Sequence, residues 1–385
     1  MADESVVHGV NVAGPATHVI AIGVGAYAHL ANGSGAESPH GESMGQLTSA
    51  PASVKAFADW VIGSFSDVRP LGSVRLLASG IANDQYTNPK TNAQHTVQRA
   101  TLDNVKKAVR EWKAAGHSNP DNLLLFYFVG HGIASGTQQS LLLEDFGETD
   151  DAPLETAIDF RKMHVGMSRC AARQQIYFID ACRAIPAKLL EGGYAGDVII
   201  QPGVSGYVGP QPCLAPVFYA TLLGQEAYGR PGDRSVFTDA LLKSFEGAGA
   251  DDSEGPWRLR TTMLLAALDH FMRRADEQYE VLQIPTSQDN TPLFFHELPA
   301  MPQIPVYLRC NPETAHPHAV FQILPLGGAP DMRQGGPLDI KLPSGNYRFD
   351  CTFPAPPAGA AFVAKSLDQH VHPPCFSPPP LKVTP

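Results

Sequence analysis

An α/β fold built on a parallel sheet, followed by a smaller all-β region, is what this sequence predicts, and three observations carry it. Short apolar runs alternate with amphipathic helix patterns from about residue 18 to residue 296, the grammar of a doubly wound parallel sheet. Two of those runs, Leu123–Val129 and Gln175–Ile179, are rich in aromatic residues and stop at reactive side chains. From Pro299 onward proline becomes frequent, helical periodicity disappears and short alternating segments take over, the pattern of a small β-sandwich.

Each element follows from a local signal. His18–Val24 (His-Val-Ile-Ala-Ile-Gly-Val) reads as a fully buried first strand, and the Gly/Ser-rich stretch Asn32–Gly41 as an exposed loop. Gly23-Val24-Gly25-Ala26-Tyr27-Ala28 matches the Gly-x-Gly-x-x-Ala spacing of dinucleotide sites. No helix opens there and no acidic residue closes a second strand, so a tight exit turn is expected instead. A helix over Ser53–Phe65 places Val54, Phe57, Ala58, Val61 and Ile62 on one face, and Ser73–Leu77 is the second strand. Thr101 caps a helix over Asn104–Ala115 with Val105, Val109 and Trp112 on its apolar face. It delivers the chain to the Leu123–Val129 strand.

A hydrophobic patch at Leu141–Leu143, the acidic loop Glu144–Asp159 and a helix near Phe160–Cys170 precede the Gln175–Ile179 strand. Glu191–Pro212, rich in glycine and proline, has no periodicity and reads as a linker-like loop, residues 191–212. Val217–Ala220 is a fifth strand, Ser235 and Met263–Ala275 belong to two further helices, and Pro292–His296 is a short closing strand. Val306–Leu308, Val320–Leu324, Leu338–Leu342 and Tyr347–Phe353 are the strands of the β region. The division expected is therefore residues 1–299 and residues 303–385, within the two to three domains that 385 residues allow at about 100–200 each.

Composition narrows the function. The net charge of −10 comes from interleaved acidic and basic residues, which speaks against a nucleic-acid surface and for a cationic peptide partner. The N-terminus Met-Ala-Asp-Glu-Ser has no basic segment leading into an apolar core, and no stretch approaches the ~20 apolar residues of a membrane span. A soluble, cytoplasmic protein without membrane partners is expected. The six cysteines are spread singly, unlike a disulfide scaffold, and no Cys-x-x-Cys or His-x-x-x-His spacing suggests a metal site. Within the acidic loop, Asp145, Asp150 and Asp151 could offer oxygen to calcium, but without regular loop spacing; a solvated loop and no cofactor are expected.

The two reactive side chains are His131, in Gly130-His131-Gly132, and Cys182, in Asp180-Ala181-Cys182-Arg183, 51 positions later. Cysteine attacks as thiolate, and a neighbouring imidazole either lowers the thiol pKa or handles its proton. A base and a thiol at two strand ends are the minimum equipment of a cysteine peptidase.

On these residues the chain up to about 298 resembles the caspase-like peptidases, the clan of caspases, metacaspases and paracaspases. The caspase signature is Gln-Ala-Cys-[Arg/Gln/Gly]-Gly with its histidine about 50 residues upstream; Asp180 stands here for Gln and Ala184 for Gly. Ala220-Thr221, Gly224-Gln225-Glu226-Ala227, Ser235-Val236-Phe237-Thr238 and Gln283-Ile284-Pro285 follow in the clan's order. The resemblance implies a caspase-like three-layer sandwich around a mostly parallel six-stranded sheet, which the small all-β domain read from the sequence follows. It implies His131 as base, Cys182 as nucleophile, and the amides of Gly132 and Cys182 as oxyanion donors.

An acidic residue two before the cysteine is the metacaspase and paracaspase choice, so the resemblance also implies a pocket with Asp180, joined by Glu226, and cleavage after Arg, then Lys. Metacaspases carry a second pocket aspartate where this chain has Ser53-Val54. Partners expected are proteins or peptides with exposed Arg or Lys, and an upstream activating protease or regulatory partner. Arg183 and Lys188 before the 191–212 loop, with Arg230 and Arg234 after it, make self-cleavage and an uncut regulatory loop equal expectations. The chain resembles bacterial caspase-like proteases, some of which serve in defence or stress-induced cell death, a role that is analogy only. Against this stand a silent caspase-fold scaffold and a separase-like or gingipain-like thiol peptidase.

Overall fold

The computed structural model describes residues 4–81, 84–135, 138–184, 196–202, 212–279, 283–354, 362, 365–374 and 381–382. The chain divides into two compact units, Met1–Leu242 with Phe271–Glu297, and Lys243–His270 with Leu298–Pro385.

The first unit is organised by a seven-stranded sheet. Its strands are β1 (Val6–Gly9), β2 (Thr17–Val24), β3 (Leu71–Ser79), β4 (Leu123–Val129), β5 (Gln174–Asp180), β6 (Val217–Tyr219) and β7 (Thr286–Gln288). They lie in the order β1-β3-β2-β4-β5-β6-β7. The inner five run parallel, and the edge strands β1 and β7 are antiparallel to their neighbours. Every residue of β4, Leu-Leu-Leu-Phe-Tyr-Phe-Val, is buried, as a parallel strand covered on both faces requires.

Alternation along the strands sorts the two faces. On one, Ile20, Ile22, Phe126, Phe128, Tyr177 and Ile179 share a core with Val105, Val109 and Trp112 of α2 (Leu102–His117) and Phe160 and Met163 of α3 (Phe160–Met167). On the other, Phe57 of α1 (Ser49–Ser64) stacks on Tyr127 at 4.3 Å and meets Phe178 edge-on at 6.2 Å. The result is the expected three-layer sandwich.

Three expectations are corrected. The sheet has seven strands, not six, because Val6–Gly9, too short to show a period, adds an edge against β3. The closing strand is Thr286–Gln288, a polar segment paired with β6. The more apolar Phe294–Glu297 lies outside this sheet, beside residues 66–69, where His296 Nδ1 meets the Ser66 amide at 3.0 Å. Helix α1 starts at Ser49, ahead of the expected Ser53; Pro51 sits in its first turn, where no N–H partner is lost.

Helix α2 starts at Leu102, and Thr101 at its N-cap makes no side-chain capping bond. The Leu102 N–H instead donates to the Asp145 carboxylate at 2.9 Å. The acidic loop is thereby largely structural. Glu144 accepts from the Ser79 hydroxyl and from Arg99 Nε, and Asp159 caps α3 through the Lys162 N–H at 2.9 Å. Among the described residues no three His, Cys, Asp or Glu side chains gather as metal ligands, and no helix is long and apolar enough to cross a membrane.

The second unit is rich in short sheets. Its C-terminal strands are β8 (Gln303–Leu308), β9 (Cys310–Asn311), β10 (Val320–Pro325), β11 (Asp331–Gln334), β12 (Leu338–Pro343), β13 (Gly345–Thr352), β14 (Lys365–Val371) and β15 (Leu381–Lys382). β8 pairs with β12, β9 with β15, and β11, β10, β13 and β14 form an antiparallel sheet in that order. Ile304, Val306, Leu308, Phe321, Ile323 and Phe349 fill one apolar core. Asp145→Ala removes the α2 cap and is expected to cost about 1 kcal/mol, read as a lower urea midpoint at unchanged slope; an unmoved midpoint refutes the capping role.

Candidate active site

The site is built where β4 and β5 end together. Their parallel register runs from Leu123 opposite Gln174 to Val129 opposite Asp180, and the Gly130 N–H extends it by donating to the Asp180 carbonyl at 3.1 Å. His131 and Cys182 each lie two residues beyond the last paired position. Both therefore leave the sheet at its carboxyl edge, side by side, where open α/β sheets place their crevices. The backbones meet closely there: a Cβ on Gly132 would lie 2.8 Å from the Cys182 carbonyl oxygen and 2.9 Å from the Ala181 Cβ. Only glycine fits at 132.

His131 is fixed from three sides. Its backbone N–H donates to the Tyr27 hydroxyl at 2.6 Å, its ring lies 4.9 Å from the Tyr27 ring, and Nε2 meets the Gly45 carbonyl at 2.8 Å. A carbonyl only accepts, so Nε2 carries the proton and Nδ1 keeps its lone pair in the neutral ring. Gln46 sets this cradle: its Oε1 accepts from the Tyr27 N–H at 2.8 Å and its Nε2 donates to the carbonyls of Tyr27 and Ala31 at 3.1 and 3.0 Å. Burial lowers the pKa of His131, with the Gly45 contact pulling the other way.

The Cys182 sulfur accepts the Ala227 N–H at 3.2 Å. Burial is the main reason its pKa is raised; the Ala227 amide opposes this, and the charges of Glu226 and Asp180 add to it. Thiol and imidazole are thus both neutral at rest. The Ala227 loop is tied to the cysteine through Arg183, whose N–H donates to the Gln225 carbonyl and whose carbonyl accepts from Gly224, each at 2.9 Å. The Arg183 guanidinium turns away, over the Tyr219 ring at 4.2 Å.

Asp180 is placed below this surface, 4% exposed. Its Oδ2 accepts from the Ser235 hydroxyl and from Thr238 Oγ1 at 2.8 Å; Thr238 in turn meets the Tyr127 hydroxyl at 2.6 Å, and Ser53 Oγ accepts the Ser235 N–H at 2.9 Å. Burial pushes its pKa up to about 6 despite these donors. Glu226 is exposed on the Ala227 loop. The landmark Ser235–Thr238 is accordingly the shell of Asp180, and Gln283 supports the same loop by accepting the Tyr228 N–H at 3.0 Å and donating to the Ala220 carbonyl at 3.0 Å.

Other sequence expectations find their places. Arg234 and Arg230 pair with Asp239 at 3.0 and 3.7 Å, while Lys188 lies outside the described residues. So does most of the 191–212 loop, but Asp197 is docked, its N–H donating to the Ala157 carbonyl at 2.7 Å and its carboxylate meeting Lys106 at 2.7 Å. Tyr27 and Gln46 were not singled out by sequence as functional; the only signal is an aromatic residue directly after the first strand's exit turn.

A three-layer sheet sandwich whose carboxyl edge brings a histidine and a cysteine together defines a caspase-like class. The chain belongs to the caspase domain family, whose model matches residues 78–295. It is 31% identical over 206 residues to an uncharacterized protein of Sinorhizobium fredii, covering 53% of this chain and 58% of that one. It is 25% identical over 225 residues to a probable protease of a Desulfuromonadales bacterium, covering 55% of this chain and 25% of that one. The chain thus spans little more than half the length of the first relative and a quarter of the second. Caspase-1 of Spodoptera frugiperda superposes with a TM-score of 0.39 at 14% identity, over 71% of this chain and 86% of that one.

The resting protonation state is measurable. The iodoacetamide rate at Cys182, followed against pH, is expected to give a midpoint above the ordinary thiol value of 9.0; a midpoint near 6 would mean a preformed thiolate–imidazolium pair and overturn the neutral assignment.

Proposed function

We propose that this protein is a cysteine endopeptidase with Cys182 as nucleophile and His131 as general base and acid. The observation that carries the reading is the convergence of His131, Gly132 and Cys182 beyond the paired ends of β4 and β5. In the first step His131 Nδ1 takes the thiol proton as Sγ attacks the substrate carbonyl carbon. The oxyanion forms against the amides of Gly132 and Cys182, each such donor being worth about 2.7–4 kcal/mol. The imidazolium, braced by the Gly45 carbonyl, returns the proton to the departing amine. Water, deprotonated by the same nitrogen, then releases the acyl group from sulfur.

The substrate class is proteins or peptides cut after arginine, then lysine. Support comes from the field at the thiol: Glu226 and Asp180 both disfavour its ionisation, so a cation seated beside them is attracted and offsets that field. Substrate arginine then helps to generate the nucleophile that cuts after it, with Glu226 the exposed contact and Asp180 the carboxylate beneath. Neither step calls for a cofactor, and calcium is left to the assay. We assign the first unit the peptidase role and the C-terminal β region a substrate- or partner-recruiting one, with activation by an upstream protease or regulatory partner, in the cytoplasm and in a bacterial defence or cell-death setting.

The purified chain is tested on fluorogenic peptides carrying Arg, Lys, Asp or Leu before the scissile bond, with and without calcium. Arg is expected to lead, Cys182→Ala to abolish cleavage and His131→Ala to lower it about 10²–10⁴-fold. Cleavage after Asp would overturn the pocket, and silence even after limited proteolysis would leave a caspase-fold scaffold. Because His131 must be neutral to act and burial lowers its pKa, the acid limb of kcat/KM is expected to fall below pH 6.5; a limb above 6.5 refutes it. Agmatine is expected to lower the Cys182 alkylation midpoint in wild type and less so in Glu226→Gln; no shift in wild type removes substrate-assisted ionisation.

A further inference from the structure

We propose that Cys310 and Cys351 form a peroxide-responsive disulfide site in the C-terminal β region, independent of the peptidase reading. The two residues are 41 positions apart, yet their sulfurs lie 3.5 Å from each other. Cys310 opens β9, with its N–H donating to His316 Nε2 at 2.8 Å, and Cys351 sits on β13 opposite Phe321 of β10. Both belong to the apolar core that Ile304, Phe321 and Phe349 fill. They are 1% and 0% exposed.

A disulfide needs the sulfurs about 2.05 Å apart, so closure asks for an approach of roughly 1.5 Å, within reach of side-chain rotation. The burial decides the oxidant. A bulky disulfide such as oxidised glutathione cannot reach sulfurs without exposed surface, whereas hydrogen peroxide is small and neutral. Either sulfur can donate to the other, and the accepting one is favoured as thiolate and reacts first; with Cys351 as donor that sulfur is the one of Cys310. The Cys310 thiolate attacks one peroxide oxygen, the O–O bond breaks, and sulfenic acid and hydroxide form. The Cys351 sulfur then attacks the sulfenic sulfur and expels hydroxide, which leaves as water with the Cys351 proton. In sum, two thiols and one peroxide give one disulfide and two waters; each sulfur loses one electron and the peroxide gains two.

The bond ties β9 to β13 across the core and closes the loop that carries β10, β11 and β12. Closing a loop of that length restricts the unfolded chain more than the folded one, so oxidation stabilises this unit.

The full chain carrying Cys182→Ala and Cys213→Ala, which remove the partly exposed thiols among the described residues, is treated with a few equivalents of hydrogen peroxide, denatured, alkylated, digested and analysed by mass spectrometry. The expected product is one cross-linked pair of peptides containing Cys310 and Cys351, lighter than their sum by two hydrogens and separated by dithiothreitol. Cys310→Ala is expected to abolish it and leave Cys351 alkylated. The cross-linked chain is expected to melt on the order of 10 °C higher than the reduced one. Recovery of both cysteines as alkylated thiols, their separate conversion to sulfinic acid, or a link from either to another cysteine overturns the site; an unchanged melting temperature in verified disulfide overturns the stabilisation.

Discussion

Everything at the site depends on the register of β4 against β5. Parallel strands advance about 3.3 Å per residue, so a slip of one residue would part His131 from Cys182 by that distance and turn every β4 side chain to the wrong face. The register is held by the interior. Phe126 and Tyr177 press towards α2 and α3, with ring centroids 5.6 Å apart, while Tyr127 and Phe178 press towards Phe57 of α1. Packing on both faces and reactive geometry at the edge are one constraint. Gly132 lets the two backbones run together after the ladder stops, and Gly130 leaves room for the Tyr27 hydroxyl.

The same burial governs the electrostatics. It disfavours the imidazolium of His131 and the thiolate of Cys182 alike, so the pair rests uncharged. A neutral pair is less nucleophilic than an ion pair, and also less open to stray oxidants or electrophiles. A cation bound beside it would favour the thiolate, and the Gly45 carbonyl, already in contact with Nε2, would stabilise an imidazolium.

Sequence showed β4, β5 and the two reactive residues plainly, because a fully covered parallel strand needs an unbroken apolar run and the chemistry begins where that run stops. It showed the β-rich C-terminal region through alternation and proline. It did not show the cradle of His131. Tyr27 and Gln46 act through a turn whose partners are Gly45 and the strand ends, and no local period encodes such contacts. Thr101 illustrates the converse: it carries the right residue type for a cap, yet Asp145, 43 positions beyond Leu102, provides the bond. Thr286–Gln288 is polar and carries no strand signal of its own, and it is a strand where β6 offers it an edge.

Asp180 shows how far position alone can constrain chemistry. Strand alternation puts it on the same face as Phe178, towards α1, so its carboxylate must enter a covered layer, where an unpaired charge is costly. The hydroxyls of Ser235 and Thr238, backed by Tyr127 and Ser53, answer that cost. A carboxylate at 53, the metacaspase arrangement, would set a second negative charge in this hydroxyl cluster, and like charges in such a place drive one pKa strongly upward. Serine there leaves a single carboxyl whose pKa of about 6 lies near neutrality. A cation placed above it would favour the ionised form, and its absence in mild acid would favour the neutral one. Serine at 53 thus leaves one carboxyl in the cluster where two would have to share their charge.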